Sequence, residues 1–394
     1  MLNEQQRGVL LLVRGALTGK KEPLPAEFSL EEAYTDALKQ QIVPLLYYGA
    51  MNCGVSACLP VMQQMLLTTA KALSICEGQS QVLAEICRCF EDNGIDYVLL
   101  KGAVLQSLYP EQGMRLMSDI DILIRMEQYP RIQELMAEMG FSRGKETDHE
   151  LPWRRNWVRI ELHKSLIPSY NKDFYAYYGT GWQFAKPAAG LHRHEFSDED
   201  QMVYLFTHFA KHYRDMGIGV KHLTDLYVYR RKKPGLDEAY IRRELKKLEL
   251  EVFYLHVLET LAVWFDGAAP TEITDMITAV ILMSGAYGDN RNNFYSNLLK
   301  STQTSEERKK ACRRRRFELI FLPYRDMCDK FPVLKKAPIL LPIFWVVRGV
   351  TSLFMPGKIK KMRRAMKSLK PEYAEAYQNS LQFVGLDYHF NTDS

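Results

Sequence analysis

Apolar positions recur at helical spacing from the N-terminus to about residue 92, through LEEAYTDALKQQIVPLLYYGAM and VMQQMLLTTAKALSICEGQSQVLAEICRCFEDNG. The second stretch closes on Asn93-Gly94, a helix stop. The opening MLNEQQRGVLLLVRGALTGK reads as an amphipathic helix, not as a basic region leading into an apolar core and a cleavage site. Beyond residue 94 the period shortens. DYVLLKG is a short apolar run ending in glycine, AVLQSLYP a short helix closed by Pro110, and SDIDILI an alternating run, so strand, helix, strand is the simplest reading. Gln128 to Met139 predicts a helix, and NWVRIELHKSL alternates Val158, Ile160 and Leu162 with Arg159, Glu161 and His163 at strand period. From Ser197, an N-cap ahead of Asp198, Glu199 and Asp200, the helical period returns and holds to about residue 300.

The pattern therefore predicts an α+β protein in which a small mixed β-sheet core is embedded in a predominantly helical chain. Its expected parts are an N-terminal helical region (1–78), an α/β core (79–165), a helical substrate-side domain (166–300) and a basic helical C-terminal region (301–394).

Chemistry concentrates on the strands. Asp119 and Asp121 stand at i and i+2, so both side chains project from one strand face while Ile120 and Ile122 point to the other. Aspartate has poor strand propensity and two like charges repel, so this pair costs stability unless a cation or solvent compensates. Glu161 interrupts the alternation of a neighbouring strand in the same way, and His163 shares its face. Three carboxylates across two strands supply the hard oxygen ligands Mg²⁺ prefers, and two such ions can stabilise both oxygens of an in-line phosphoryl displacement. Lys101-Gly102 ends the first strand and opens a helix, where a phosphate can approach the backbone, and Arg115 is a second cation within reach. His208, Lys211 and His212 share one helix, with His222 and Asp225 opening the next. HFAKH lacks the glutamate of a zincin helix, which leaves these residues lining a substrate cleft or forming a hydrogen-bonded helix interface.

Charge sharpens the picture of the tail alone. Residues 301–394 carry 19 Lys and Arg against 9 Asp and Glu, whereas the first 300 carry 33 against 38, so the net +5 of the 394-residue chain comes from one end. No specific DNA binding by the whole protein is expected from that distribution. The run RKKACRRRR (308–316) attracts anionic surfaces, and APILLPIFWVV, with 11 apolar residues, is too short to span a bilayer. It can lie in the interface with Phe344 and Trp345 inserted and Lys358, Lys360, Lys361, Arg363 and Arg364 on headgroups, a peripheral membrane contact through 308–370. Seven cysteines, none spaced as Cys-x-x-Cys, signal neither a disulfide framework nor a cysteine zinc site. The expected location is cytoplasmic, membrane-peripheral if the tail engages lipid.

Lys101-Gly102, Tyr109-Pro110, Arg115 and Ser118-Asp119-Ile120-Asp121 together resemble the signature of the uncharacterised nucleotidyltransferase family within the DNA polymerase beta-like superfamily. His163 and the segment carrying His208, Lys211, His212, His222 and Asp225 are similar to that family as well. The resemblance implies a mixed sheet with helices on one side and Mg²⁺-dependent transfer of a nucleoside monophosphate from an NTP to an acceptor hydroxyl, with release of pyrophosphate. It implies Asp119, Asp121 and Glu161 as catalytic residues and ligands of two Mg²⁺ ions. Lys101, Gly102, Arg115 and Ser118 would hold the nucleotide, with His163, His208, Lys211, His212 and Asp225 on the side of an acceptor that is a small molecule, a sugar or a protein. The chain departs from the superfamily pattern in having Gly102-Ala103 for Gly-Ser and Glu161 for the usual aspartate. A binding or regulatory protein that keeps the fold without turnover is the alternative these departures leave open.

Overall fold

The computed structural model describes residues 2–188, 191–285, 290–302, 304–353, 357, 359–360, 362–363, 366 and 369–388. The chain falls into two compact units, Met1–Asp289 with Val384–Ser394, and Asn290–Phe383.

In the first unit, α1 (Glu4–Thr18), α2 (Leu30–Gln40), α3 (Val43–Asn52) and α4 (Pro60–Asp92) precede the sheet. Then come β1 (Tyr97–Leu99), α5 (Gly102–Leu105), β2 (Ile120–Ile124), α6 (Tyr129–Glu138), β3 (Ser142–Arg143), β4 (Glu150–Arg155) and β5 (Val158–His163). They are followed by α7 (Lys172–Tyr178), β6 (Ala185–Pro187), β7 (Arg193–Phe196), α8 (Asp198–Asp215) and α9 (Val220–Lys232). Three more helices, α10 (Glu238–Lys247), α11 (Glu251–Leu261) and α12 (Glu272–Met283), complete the unit.

The strands form one mixed sheet in the order β3-β4-β5-β2-β1-β7-β6. Period-2 alternation decides its faces. Ile120, Ile122 and Ile124 of β2 and Val158, Ile160 and Leu162 of β5 join Val82, Ile86 and Phe90 of α4 and Ile132, Leu135 and Met136 of α6 in one buried core. Every side chain of that size withdrawn from water contributes about 1.5–3 kcal/mol, so this layer sets the register of β2 and β5. The opposite face is left for polar groups.

Both expected edges of the α/β core move. A boundary at residue 78 falls inside α4, whose later turns cover the sheet, because a 33-residue helix serves both the N-terminal helices and the core. A boundary at residue 165 cuts the sheet, because β7 pairs in parallel with β1, Tyr97 opposite Arg193. The chain also returns at its far end: the Val384 carbonyl accepts from His256 Nδ1 at 2.9 Å, and Tyr388 donates to the Arg214 carbonyl at 2.9 Å.

The second unit contains α13 (Asn290–Ser301), α14 (Ser305–Ile320), α15 (Tyr324–Lys330), α16 (Leu341–Leu353) and α17 (Pro371–Phe383). Phe344 and Trp345, expected to insert into lipid, are instead turned onto a small core of Met327, Cys328 and Leu334, with Trp345 Nε1 donating to the Leu322 carbonyl at 2.9 Å. A half-buried indole N–H needs an acceptor, and this carbonyl supplies it. Of the basic residues expected beside them, Lys358, Lys361 and Arg364 lie outside the described residues.

Candidate active site

The polar face of the sheet carries the acidic residues in register. Asp121 of β2 is paired with Glu161 of the parallel strand β5, Leu123 with His163, and His163 with Glu150 of the antiparallel strand β4. Asp119 stands one residue before β2. These groups open into a cavity of about 550 Å³ whose wall also includes residues of α8 and α9 and of the segment before β4. Lys101, Gly102, Arg115, Ser118, Asp119, Asp121, Glu161 and His163 line it together with His208, Lys211, His212 and Asp225, so these twelve residues border one space.

Asp121 is the hub. One of its carboxylate oxygens accepts from Lys101 Nζ at 2.8 Å and from His163 Nε2 at 2.7 Å. Burial alone raises a carboxyl, but the Lys101 charge and the His163 bond outweigh it and hold Asp121 well below the usual carboxylate range. The same pairing lifts the buried Lys101 ammonium above its ordinary value, against the opposing effect of its burial. Its neighbours are less well compensated. Burial and then the Asp121 charge push Asp119 up. Burial, followed by the Asp119 and Glu150 charges, pushes Glu161 up to about 7 although Arg159 lies 2.6 Å away. The donor set is hard oxygen and two of its three carboxylates are strained by mutual repulsion, so these residues fit a divalent cation. Among the described residues, donor atoms of Asp121, Glu161 and His163 lie within 4.8 Å of one another; Asp119 shares the cavity but not that set.

The turn that delivers Lys101 is strained, with φ 45° and ψ −114° at a residue that is not glycine. It swings the lysine out of β1 toward Asp121. A Cβ at the next position would come 2.6 Å from Met117 Cγ, so Gly102 allows the 115–117 segment to close over the turn. The helix dipole expected there is small: α5 has four residues, too few to align many peptide dipoles.

Arg115 is less free than the sequence suggests. Its Nε and Nη2 form a bidentate pair with Asp225 at 2.8 and 2.9 Å, and Nη1 donates to the Leu116 carbonyl at 2.7 Å. Tyr109 adds a hydrogen bond to Asp225 at 2.8 Å. The histidines are neutral. His208 and His212 meet Nε2 to Nε2 at 3.0 Å, so one ring donates to the other, and burial with the neighbouring cations puts both, and His222, well below the ordinary imidazole value. They offer hydrogen bonds, not positive charge, and form no set of metal donors among the described residues.

Sequence reading missed Lys221, His149 and Glu150, which line the same cavity. Pro152 hid β4, since proline argues against a strand, and with it the pairing of Glu150 to His163. Lys221 stands in the first turn of α9 and is only 7 % exposed. Burial, then the Arg115 charge, lower it to about 8. The native state thus holds this proton less tightly than the unfolded chain, so stability rises with pH from about 8 to the ordinary lysine value of 10.5. Lys221→Met is expected to stabilise the protein by ~3 kcal/mol at pH 7, an advantage that shrinks as pH rises through that window. Urea unfolding of both proteins at pH 7 and pH 10 checks this; an equal difference at the two pH values contradicts it.

No curated protein matches the chain. Among solved structures, the antibiotic-resistance factor ANT(2'')-Ia is 13% identical, over 48% of this chain and 97% of that one, with a TM-score of 0.32. The Megavirus polyadenylate synthase is 12% identical, over 61% of this chain and 47% of that one, with a TM-score of 0.27. The family model described as "Uncharacterised nucleotidyltransferase" matches residues 27–266, which take in the whole sheet and the cavity, and the chain therefore belongs to that family.

Proposed function

We propose that this nucleotidyltransferase is Mg²⁺-dependent and moves a nucleoside monophosphate from an NTP to an acceptor hydroxyl in the 550 Å³ cavity. The observation that carries the reading is the side-by-side register of Asp121 and Glu161, with Asp119 and Lys101 in the same cavity. Asp119, Asp121 and Glu161 would hold the divalent cations, two by this reading. When bound, they supply charge stabilisation to the phosphoryl oxygens and to the attacking hydroxyl.

The chain's own groups do the rest. Lys101 and Lys221 face the polyphosphate, and Gly102 and Ser118 border it. Arg115, held by Asp225, fixes the loop that carries Ser118 more than it grips phosphate. Glu161, besides holding a cation, takes the proton of the acceptor hydroxyl or orients it. His163 orients Asp121, while the neutral His208 and His212, with Lys211, hydrogen-bond the acceptor. The test is pyrophosphate release and labelled-NMP transfer with each of the four NTPs over small alcohols, sugars and proteins. Turnover with any pair supports the reading. Tight NTP binding with no transfer over the whole screen would favour the alternative, a binding or regulatory protein on this fold.

A second reading concerns the basic unit. Its α16 leaves Ile343, Val346, Val347 and Val350 exposed at helical spacing, continuous with Ile339, which is 87% exposed. Arg313, Arg314 and Arg315 are exposed on α14. Exposed apolar side chains and basic residues in one unit suit an anionic lipid surface, which the unit would touch without spanning: no helix among the described residues is long and apolar enough to cross a membrane. The parent is expected to float with phosphatidylserine vesicles at low salt, and Ile343→Asp with Val346→Asp to abolish flotation. A parent that stays in the soluble fraction removes the idea.

A further inference from the structure

A second group of donors adjoins the carboxylates and has a different chemistry. His149, Glu150 and His163 offer atoms that lie within 4.8 Å of one another, two imidazoles and one carboxylate where the neighbouring centre is built on oxygen. The sheet explains the convergence: Glu150 opens β4 directly opposite His163, which ends β5, and His149 immediately precedes Glu150. The two histidine rings are 5.9 Å apart between centroids.

Protons decide what these rings can do. His163 Nε2 is 2.7 Å from an oxygen of Asp121 that also receives Lys101 Nζ, so this carboxylate has no proton to give and Nε2 is the donor. Nδ1 is then a bare lone pair. His163 is only 1% exposed and its Nδ1 has no hydrogen-bond partner, an uncompensated buried nitrogen base. His149 is its neighbour in the set: Nε2 lies 2.9 Å from Glu150 Oε1, on the side from which both can face one ion, and its buried Nδ1 has no partner to hold the ring in place. An imidazole whose N–H is fixed by a carboxylate while its other nitrogen stands free is the arrangement that zinc-binding histidines adopt.

We propose that His149, Glu150 and His163 form a second cation site, selective for a borderline divalent ion such as Zn²⁺ over Mg²⁺. Nitrogen donors favour Zn²⁺, whereas Mg²⁺ prefers oxygen and keeps its waters. Bonds of ~2.0–2.2 Å to one ion place ligand atoms ~3–4 Å apart, so closing the set asks for rotation of side chains and no movement of the strands. The site stands independently of nucleotidyl transfer, although His163 links it to Asp121 and an ion there adds positive charge to the cavity wall.

The test is Zn²⁺ binding to the full chain by competition with a chromophoric chelator, with the visible spectrum of the Co²⁺-loaded protein as a second readout. One tight Zn²⁺ equivalent is expected, resistant to excess Mg²⁺, with a Co²⁺ spectrum showing nitrogen ligation. His149→Ala is expected to weaken it ~100-fold, a loss His149→Cys partly restores, and Asp119→Asn to leave it unchanged. Unaltered circular dichroism of each metal-free variant separates lost binding from lost folding. Absence of a tight equivalent in the parent, equal binding by His149→Ala, or loss in Asp119→Asn with retention in His149→Ala would each overturn the proposal. None of these readouts involves turnover, so they leave the transferase reading where it stands.

Discussion

Asp121→Asn is expected to lower Mg²⁺-dependent pyrophosphate release by ~10³-fold or more, since it removes charge from the group on which the cavity's polar contacts converge. Asparagine keeps the shape of the side chain and one acceptor oxygen, so Lys101 and His163 retain a partner of the right size. Lys101 loses its counter-charge in a buried setting, and a stability loss of ~1–3 kcal/mol accompanies the loss of activity. Asp119→Asn separates the two effects. It removes a like charge from beside Asp121 and Glu161 and no ion pair at Asp119, so the protein is expected to unfold at the same urea concentration as the parent or a higher one. Its activity is nonetheless expected to fall as far as that of Asp121→Asn. Parent-like turnover in both variants would remove the carboxylates from the chemistry; parallel losses of stability and activity would make them structural.

The part of this site that the sequence displays is the part governed by the two-residue period of a strand. In Asp119-Ile120-Asp121-Ile122 the isoleucines have one destination, the core under α4 and α6, and the aspartates must take the other face. The same reasoning places Glu161 and His163. Which strand lies beside which is not written locally: β2 meets β5 in parallel, and β7 joins β1 from across a hundred residues, through pairings no short window contains. Glu150 was hidden because Pro152 disguises its strand. Phe344 and Trp345 were misplaced because α16 has apolar residues all round, so hydropathy could not say which side meets the protein. Lys221 shows a third kind of limit. Its sequence neighbourhood is that of any helix cation, and only burial in a cavity wall gives it a lowered affinity for its proton.

Breaking the Arg115–Asp225 pair is expected to have the largest effect on stability. Both side chains are almost wholly buried, 6% and 5% exposed, and the partners are 110 residues apart, so the pair ties the loop before β2 to α9. Asp225→Ala leaves a buried guanidinium with no carboxylate and removes the oxygen to which Tyr109 donates at 2.8 Å. A cost of ~3–5 kcal/mol follows, enough to consume much of the margin of an ordinary domain. Arg115→Met is expected to cost a similar amount by removing the bidentate partner of Asp225, which keeps a neutral hydrogen bond from Tyr109 and the weaker attraction of the Lys221 charge. The double variant Arg115→Met with Asp225→Leu should be less destabilised than either single one, because no buried charge is left unmatched. Urea unfolding of the four proteins gives the coupling directly. Turnover is expected to stay low in the double variant even where stability returns, since an apolar contact of equal volume no longer fixes the backbone on which Ser118 and Asp119 are hung. Recovery of both together would reduce Arg115 to packing alone, whereas stability without turnover assigns the pair to positioning the edge of the cavity.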